Sequence, residues 1–307
     1  MPDVRVMIRT PRGLTQGSAT GLRAWVSDVE ASGIAGVFSG DHISFHDGTG
    51  YDGLIHATAL AAASERLTVW TAVFLLALRH PVPVARQVAS LSALAPGRFM
   101  FGVGLGGEDP HELQICGVDP RSRGRRLDAH IDVVRALLAG EEVTVADEFL
   151  SIPGAIIRPV PEPAVPILVG GRSDAALRRT ARAGDGWIAI WVSPDRAQAA
   201  LSTIAEHAET YRRPRAPDRN VLMVWCGLGD SVEHGRSLVA PVMEGIYKTP
   251  FARFQKYTPC GTPADIAAEI APFVRLGFRD VMLNGVAEDE DTLIALSAEV
   301  GCHLSSA

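Results

Sequence analysis

The sequence has no metal or disulfide framework that can be read from its spacing. Its 307 residues hold four cysteines, Cys116, Cys226, Cys260 and Cys302, and none forms a CxxC pair. Thiols this scattered read as buried or incidental. A basic excess is also missing. The net charge is −6 and the pI about 5.9, which argues against a nucleic-acid footprint. No run of about 18 apolar residues occurs, so no membrane span is expected. The opening MPDVRVMIRT lacks the apolar core of a signal peptide, and a cytoplasmic location is the expectation. No HExxH, no GxxxxGK(S/T), no His/Cys cluster with zinc spacing and no recognisable Ser-His-Asp set is present. What remains for an enzyme is chemistry carried by a small cofactor, with the protein supplying position and polarity.

What is present is a regular alternation. Apolar residues make up 47% of the chain, ample for a large core. Residues 66–112 show the pattern best. Residues 67–76 are apolar at nearly every position and rich in Val, Trp and Phe, which suits a strand buried on both faces. Residues 82–94 carry apolar side chains at helical spacing and stop at Pro96-Gly97. Residues 98–103 form a second apolar run that ends in Gly102, Gly104, Gly106 and Gly107. Strands are likewise expected at 4–9, 34–39, 166–169, 186–192, 220–226 and 280–283, with helices between them. Gly33 and Gly277 act as helix stops. Residues 141–163 and 230–257 break the rhythm as excursions, the first with a hairpin through 148–152. Eight strands alternating with eight helices favour an α/β fold, a closed (β/α)8 TIM barrel with insertions after strands 4 and 7 near its top. No linker or composition break interrupts residues 1–307, so a single domain is expected.

Candidate site residues lie where strands end. Asp41 and His42 follow the second strand, where barrel enzymes carry their chemistry. A histidine there can exchange a proton near neutral pH, although a polar pair can also simply begin a solvated loop. Arg79 precedes His80-Pro81 and either covers the rim or contacts a ligand. Glu108 ends GVGLGGE and is either an acid–base group or a helix-start carboxylate. The glycines before it do not open a dinucleotide-binding helix with an acid about 20 residues on, so that reading fails. Gly170-Gly171-Arg172-Ser173 lies between a strand and a helix, and the first amides of a helix have no partner within it. Two glycines, a hydroxyl and a guanidinium make a phosphate cradle there; the alternative is an ordinary turn capped by Ser173 or Asp174. The basic run at 121–126 is either an anion patch or a solvated face.

Taken together, SGDHI at 39–43, Thr71–Val73 with Arg79-His80-Pro81, GRFMFGVGLG at 97–106, Arg123–Arg126, PILVGGRSD at 166–174, GDGW at 184–187 and GTP at 261–263 resemble the bacterial luciferase-like family of flavin- and deazaflavin-dependent oxidoreductases. These motifs run in family order over nearly the whole chain. The resemblance implies a (β/α)8 barrel with the cofactor ring at its C-terminal mouth, backed by Ala72 and Val73 at a non-prolyl cis peptide. It implies that Asp41 and His42 contact the ring and serve proton transfer, with Glu108 near the family's acid but one residue out of register. It further implies that Gly104 and Gly106 lie beside the ring and that Gly170, Gly171, Arg172 and Ser173 hold the cofactor phosphate. The motifs are nearest the branch that uses coenzyme F420, with FMN as the alternative and a non-catalytic paralogue as a third reading. A small organic substrate, a homodimer and a separate cofactor reductase are the expected partners.

Overall fold

A computed structural model describes residues 4–11, 18–46, 48–107 and 109–306. Eight parallel strands close on themselves. They are β1 (Arg5–Arg9), β2 (Gly36–Ser39), β3 (Thr68–Phe74), β4 (Phe99–Val103), β7 (Ile167–Gly170), β8 (Gly186–Ile190), β9 (Val221–Leu228) and β11 (Asp280–Val286). They pair in that order, and β11 returns to β1. The strands β5 (Val143–Ala146) and β6 (Ser151–Ala155) form a separate antiparallel hairpin. A two-residue strand, β10 (Cys260–Gly261), adds to the end of β9.

Side-chain alternation along the strands builds two cores. Inward positions Met7, Phe38, Trp70, Met100, Leu168, Ile188, Met223 and Met282 plug the barrel. Outward positions such as Ile8, Val37, Val69, Phe99 and Ile167 meet the helices. Because both faces are buried, the strands read as continuous apolar runs. Burying a ring such as that of Phe38, 1% exposed, contributes about 1.5–3 kcal/mol.

The outer layer holds α1 (Ala19–Ala31), α2 (Gly53–Ala63), α3 (Pro81–Leu94), α5 (Arg123–Leu138), α6 (Asp174–Ala183), α7 (Pro194–Thr210), α9 (Pro263–Arg275) and α10 (Glu290–Ser306). Their starts follow cap chemistry. Asp52 accepts from the amides of Leu54 and Ile55, and Thr262 with Asp265 forms a reciprocal capping box. Gly33 and Gly277 end α1 and α9 at positive φ, 84° and 100°, where a side chain is disfavoured. Two further helices belong to the insertions: α4 (Pro110–Ile115) after β4, and α8 (Val232–Tyr247) after β9. No described helix is long and apolar enough to cross a membrane.

One placement differs from the sequence expectation. The excursion at 141–163 is an insertion after the fourth barrel strand, but it does not roof the barrel. It connects α5 to β7, so it leaves from the strands' N-terminal end and climbs the outer flank. Its tip reaches the first turn of α5, where Arg125 pairs with Glu148 at 3.0 Å and Arg126 lies over the Phe149 ring. The physical reason is amphipathy: Val143, Leu150 and Ile152 are apolar and pack into the outer core beside α5.

Candidate active site

The C-terminal ends of β3, β4 and β7 are unusually bare. Strand β3 breaks register against β4 between Thr71 and Phe74, and the Ala72–Val73 peptide is cis. Ala72 and Val73 are only partly buried, although neighbouring Thr71 and Phe74 are buried. The inward positions beside them are Gly104 and Gly170. A Cβ on Gly104 would lie 2.3 Å from Val73 Cγ2, and one on Gly170 would lie 2.8 Å from Val73 Cγ1. These two glycines are therefore required by the Val73 side chain, which occupies the space where theirs would be. The result is a shallow apolar floor of Ala72 and Val73. Across the barrel the mouth is bulkier, with Trp225 on β9 and Arg9 at the end of β1, the guanidinium 5.7 Å from the Trp225 ring centroid.

Beyond the floor, Asp41 stitches the ends of β2 and β3 together. Its carboxylate accepts from the amides of Gly53 and Leu75, each at 2.8 Å, and from both terminal nitrogens of Arg79 at 2.7 and 2.8 Å. Burial pushes this carboxyl up from its ordinary range, against the pull of Arg79 and the two amides. All four contacts are N–H donors, so the carboxylate is the form they select. The sequence reading placed Asp41 against the cofactor ring. Here its oxygens are engaged within the protein, and Arg79 pairs inward with Asp41 and Asp52.

His42 follows on the same loop, partly exposed and stacked on Phe45 with ring centroids 4.0 Å apart. Its Nδ1 lies 3.1 Å from Glu112 Oε2. Glu112, 2% exposed, also accepts from the amides of Ile43 at 2.6 Å and Ser44 at 3.2 Å. Burial pulls the Glu112 carboxyl up, but the hydrogen bonds from His42 and the two amides outweigh it and hold it below its ordinary value. Neutral His42 therefore keeps its proton on Nδ1, facing the carboxylate, and leaves Nε2 as the basic nitrogen.

The short helix α4 carries this partner. Asp109 caps it, accepting from the amide of His111 through one oxygen and from the amide of His46 through the other. Two carboxylates from one turn of helix thus clamp the loop at 42–46. Sequence reasoning missed Glu112. The available signal was Asp109-Pro110, a helix start that places Glu112 in its first turn right after the glycine loop. Glu108, the acid expected there, lies outside the described residues. Gly106 has φ 63° and sits against Leu75.

The loop after β7 is built as a turn with a cap. Gly171 has φ 120°, and a Cβ on it would lie 2.9 Å from Ala176 Cβ. Its carbonyl accepts from Trp187 Nε1 at 2.6 Å, which gives the GDGW segment a function in shaping this loop. Ser173 accepts from the amide of Ala176, so its hydroxyl caps α6. The first amides of α6 have no partner within the helix and suit an anionic group. Arg172 turns away toward the end of β8, donating to the Trp191 carbonyl at 3.0 Å with its guanidinium 5.7 Å from the Trp191 ring centroid.

A bare apolar floor beside a helix start opened by glycine fits a planar ring with a phosphate-bearing tail. Floor, dyad and cradle occupy one end of one barrel, although they come from segments 130 residues apart in sequence.

Similarity to known proteins agrees with this architecture. Residues 4–259 match the family described as luciferase-like monooxygenase. An uncharacterised protein of Mycobacterium tuberculosis is 40% identical over 152 residues, 49% of this chain and 52% of that protein, so the chain spans about half the length of that relative. An F420-dependent glucose-6-phosphate dehydrogenase of Microbacterium testaceum is 27% identical over 299 residues, 88% of each chain. Among solved structures, an F420-dependent secondary alcohol dehydrogenase in complex with an F420-acetone adduct superposes with a TM-score of 0.84, 17% identity and 98% and 99% coverage of the two chains. The monooxygenase RslO1 of Streptomyces bottropensis superposes with a TM-score of 0.80, 20% identity and 98% coverage of each. At such identities the superpositions establish the fold. The family match covers most of the chain and the barrel is the same, so the chain belongs to the luciferase-like monooxygenase family.

Proposed function

We propose that this protein is an oxidoreductase exchanging hydride between coenzyme F420 and a small organic substrate at the barrel mouth, with His42 moving the proton. The observation that carries the reading is the His42–Glu112 dyad at 3.1 Å. A buried carboxylate that fixes Nδ1 keeps the imidazole in one tautomer and stabilises it when it takes a second proton. The relative named as F420-dependent that matches over 88% of both chains supports the choice of cofactor.

Coenzyme F420, when bound, supplies hydride exchange at its C5. The chain's residues do the rest. Ala72 and Val73 offer an apolar face for the ring, and Gly104 and Gly170 keep Val73 in place. Gly171 and the first amides of α6 receive the phosphate. His42 Nε2 takes the proton from a substrate hydroxyl as hydride leaves its carbon, or returns it in the reverse direction. Asp41 and Arg79 hold the loop that carries His42.

Turnover without oxygen tests this. Purified protein with F420 and a panel of alcohols, kept anaerobic, is expected to reduce the deazaflavin. Activity found only with reduced FMN and oxygen overturns the reading in favour of a monooxygenase. Absence of both, with no cofactor bound, indicates a non-catalytic paralogue.

A further inference from the structure

Beside the cradle lies a cavity of about 900 Å³, walled by Arg172, Trp191, Thr249 and residues 252–257. Its charge is one-sided. Arg172, Arg253 and Lys256 line it, and none of its described lining residues is acidic, in a chain whose net charge is −6. None of the three cations forms an ion pair with a carboxylate among the described residues: Arg172 rests on the Trp191 carbonyl and ring, and Lys256 on the Tyr257 ring. Some other surface arginines take acidic partners, as in Arg125 with Glu148 and Arg182 with Asp132, while others, such as Arg86 on the Arg158 carbonyl, do not.

The cavity also has a direction. Trp191 meets Tyr247 and Phe254 with ring centroids 5.0 and 5.2 Å apart. Tyr247 in turn receives a hydrogen bond from Trp225 Nε1 at 3.0 Å, and Trp225 stands at the mouth. Ring contacts therefore lead from the cavity at Trp191 through Tyr247 to Trp225, and Phe45, on which His42 stacks, shares the apolar cluster that holds Trp225.

We propose that this cavity binds the anionic end of the substrate, a group carrying two negative charges, while the substrate's body lies along the wall of Trp191, Tyr247 and Trp225 toward His42. This rests on the reading that the substrate is oxidised or reduced at the mouth. Separate cations from two segments suit a dianion better than a single carboxylate, because each can reach a different oxygen. A cavity of this size accommodates a ligand of metabolite dimensions.

The test is calorimetric titration of the full chain at low ionic strength with inorganic phosphate and with succinate, alongside coenzyme F420. Both dianions are expected to bind, more weakly as salt rises. The double variant Arg253→Ala/Lys256→Ala is expected to lose at least about tenfold in dianion affinity. Arg253→Lys with Lys256→Arg is expected to keep most of it, and F420 affinity in the double alanine variant should stay within about twofold. Both replaced side chains are exposed, so the fold is expected to persist, and a urea melt of each variant checks it. Failure of both dianions to bind, or binding unchanged in the double alanine variant, overturns the proposal. An equal loss of F420 affinity also overturns it, because the cavity then holds the cofactor's own anionic tail. Dianion binding through Arg253 and Lys256 without any F420 binding leaves this inference standing and defeats the cofactor assignment.

Discussion

On the β2–β3 side of the mouth, acids are buried and saturated with donors; on the β7–β8 side, cations stand exposed around a cavity with no acid in its described wall. Asp41 is held by Arg79 and two amides, and Glu112 by His42 and two amides. Arg172, Arg253 and Lys256 face open volume. The contrast matches the two roles proposed for these sides. A proton-transfer group needs a fixed tautomer and position, which a buried, fully bonded network provides. A ligand-binding wall needs donors that are not already satisfied.

The sharpest way to break the comparison is to remove one cation from each side. Arg79→Ala leaves the Asp41 carboxylate buried without its partner and is expected to cost about 3–5 kcal/mol in a urea melt. Arg253→Ala should shift the same melt by no more than about 0.5 kcal/mol. Equal losses would erase the distinction.

Next comes the dyad itself. His42→Ala is expected to slow turnover at least about 100-fold while leaving F420 affinity intact. Glu112→Gln is expected to slow it by about tenfold, because the amide can still accept a hydrogen bond but no longer stabilises a charged imidazole. Long-range 1H–15N spectra should show His42 protonated on Nδ1 in the native protein. If Glu112→Gln leaves both tautomer and rate unchanged, Glu112 is only a helix-start carboxylate.

The smallest effect is on pH. His56 on α2 and His130 on α5 are both lowered from the ordinary value of 6.5, chiefly by burial. A histidine depressed in the folded state binds its proton more readily unfolded. Their contribution to stability is thus full above pH 6.5 and is lost as pH falls below it, by at most about 1.4 kcal/mol per pH unit for each. Urea midpoints between pH 7.5 and 5.5 measure the slope, and His130→Gln should flatten it. A slope that is unchanged in that variant removes His130 from the account.

Much of the frame was legible in the sequence, because barrel strands buried on both faces read as unbroken apolar runs and their helices carry caps. Leu67 to Leu76 and the Gly33 and Gly277 stops are examples. The floor at Ala72 and Val73 came only through family resemblance, since small and apolar residues in a strand look like core. Glu112 was invisible because its partner, His42, is 70 residues away and a first-turn carboxylate needs no further explanation. Arg79 was ambiguous for the same reason: only folding shows that it turns inward to Asp41. The hairpin at 143–155 was recognisable as a hairpin, but its place on the flank depends on which end of the barrel its flanking elements leave from.

The most direct test of the central claim is a spectral titration of the purified protein with F420 and, separately, with FMN. Micromolar binding of F420 with much weaker binding of FMN is the predicted result. Micromolar binding of FMN alone would contradict it.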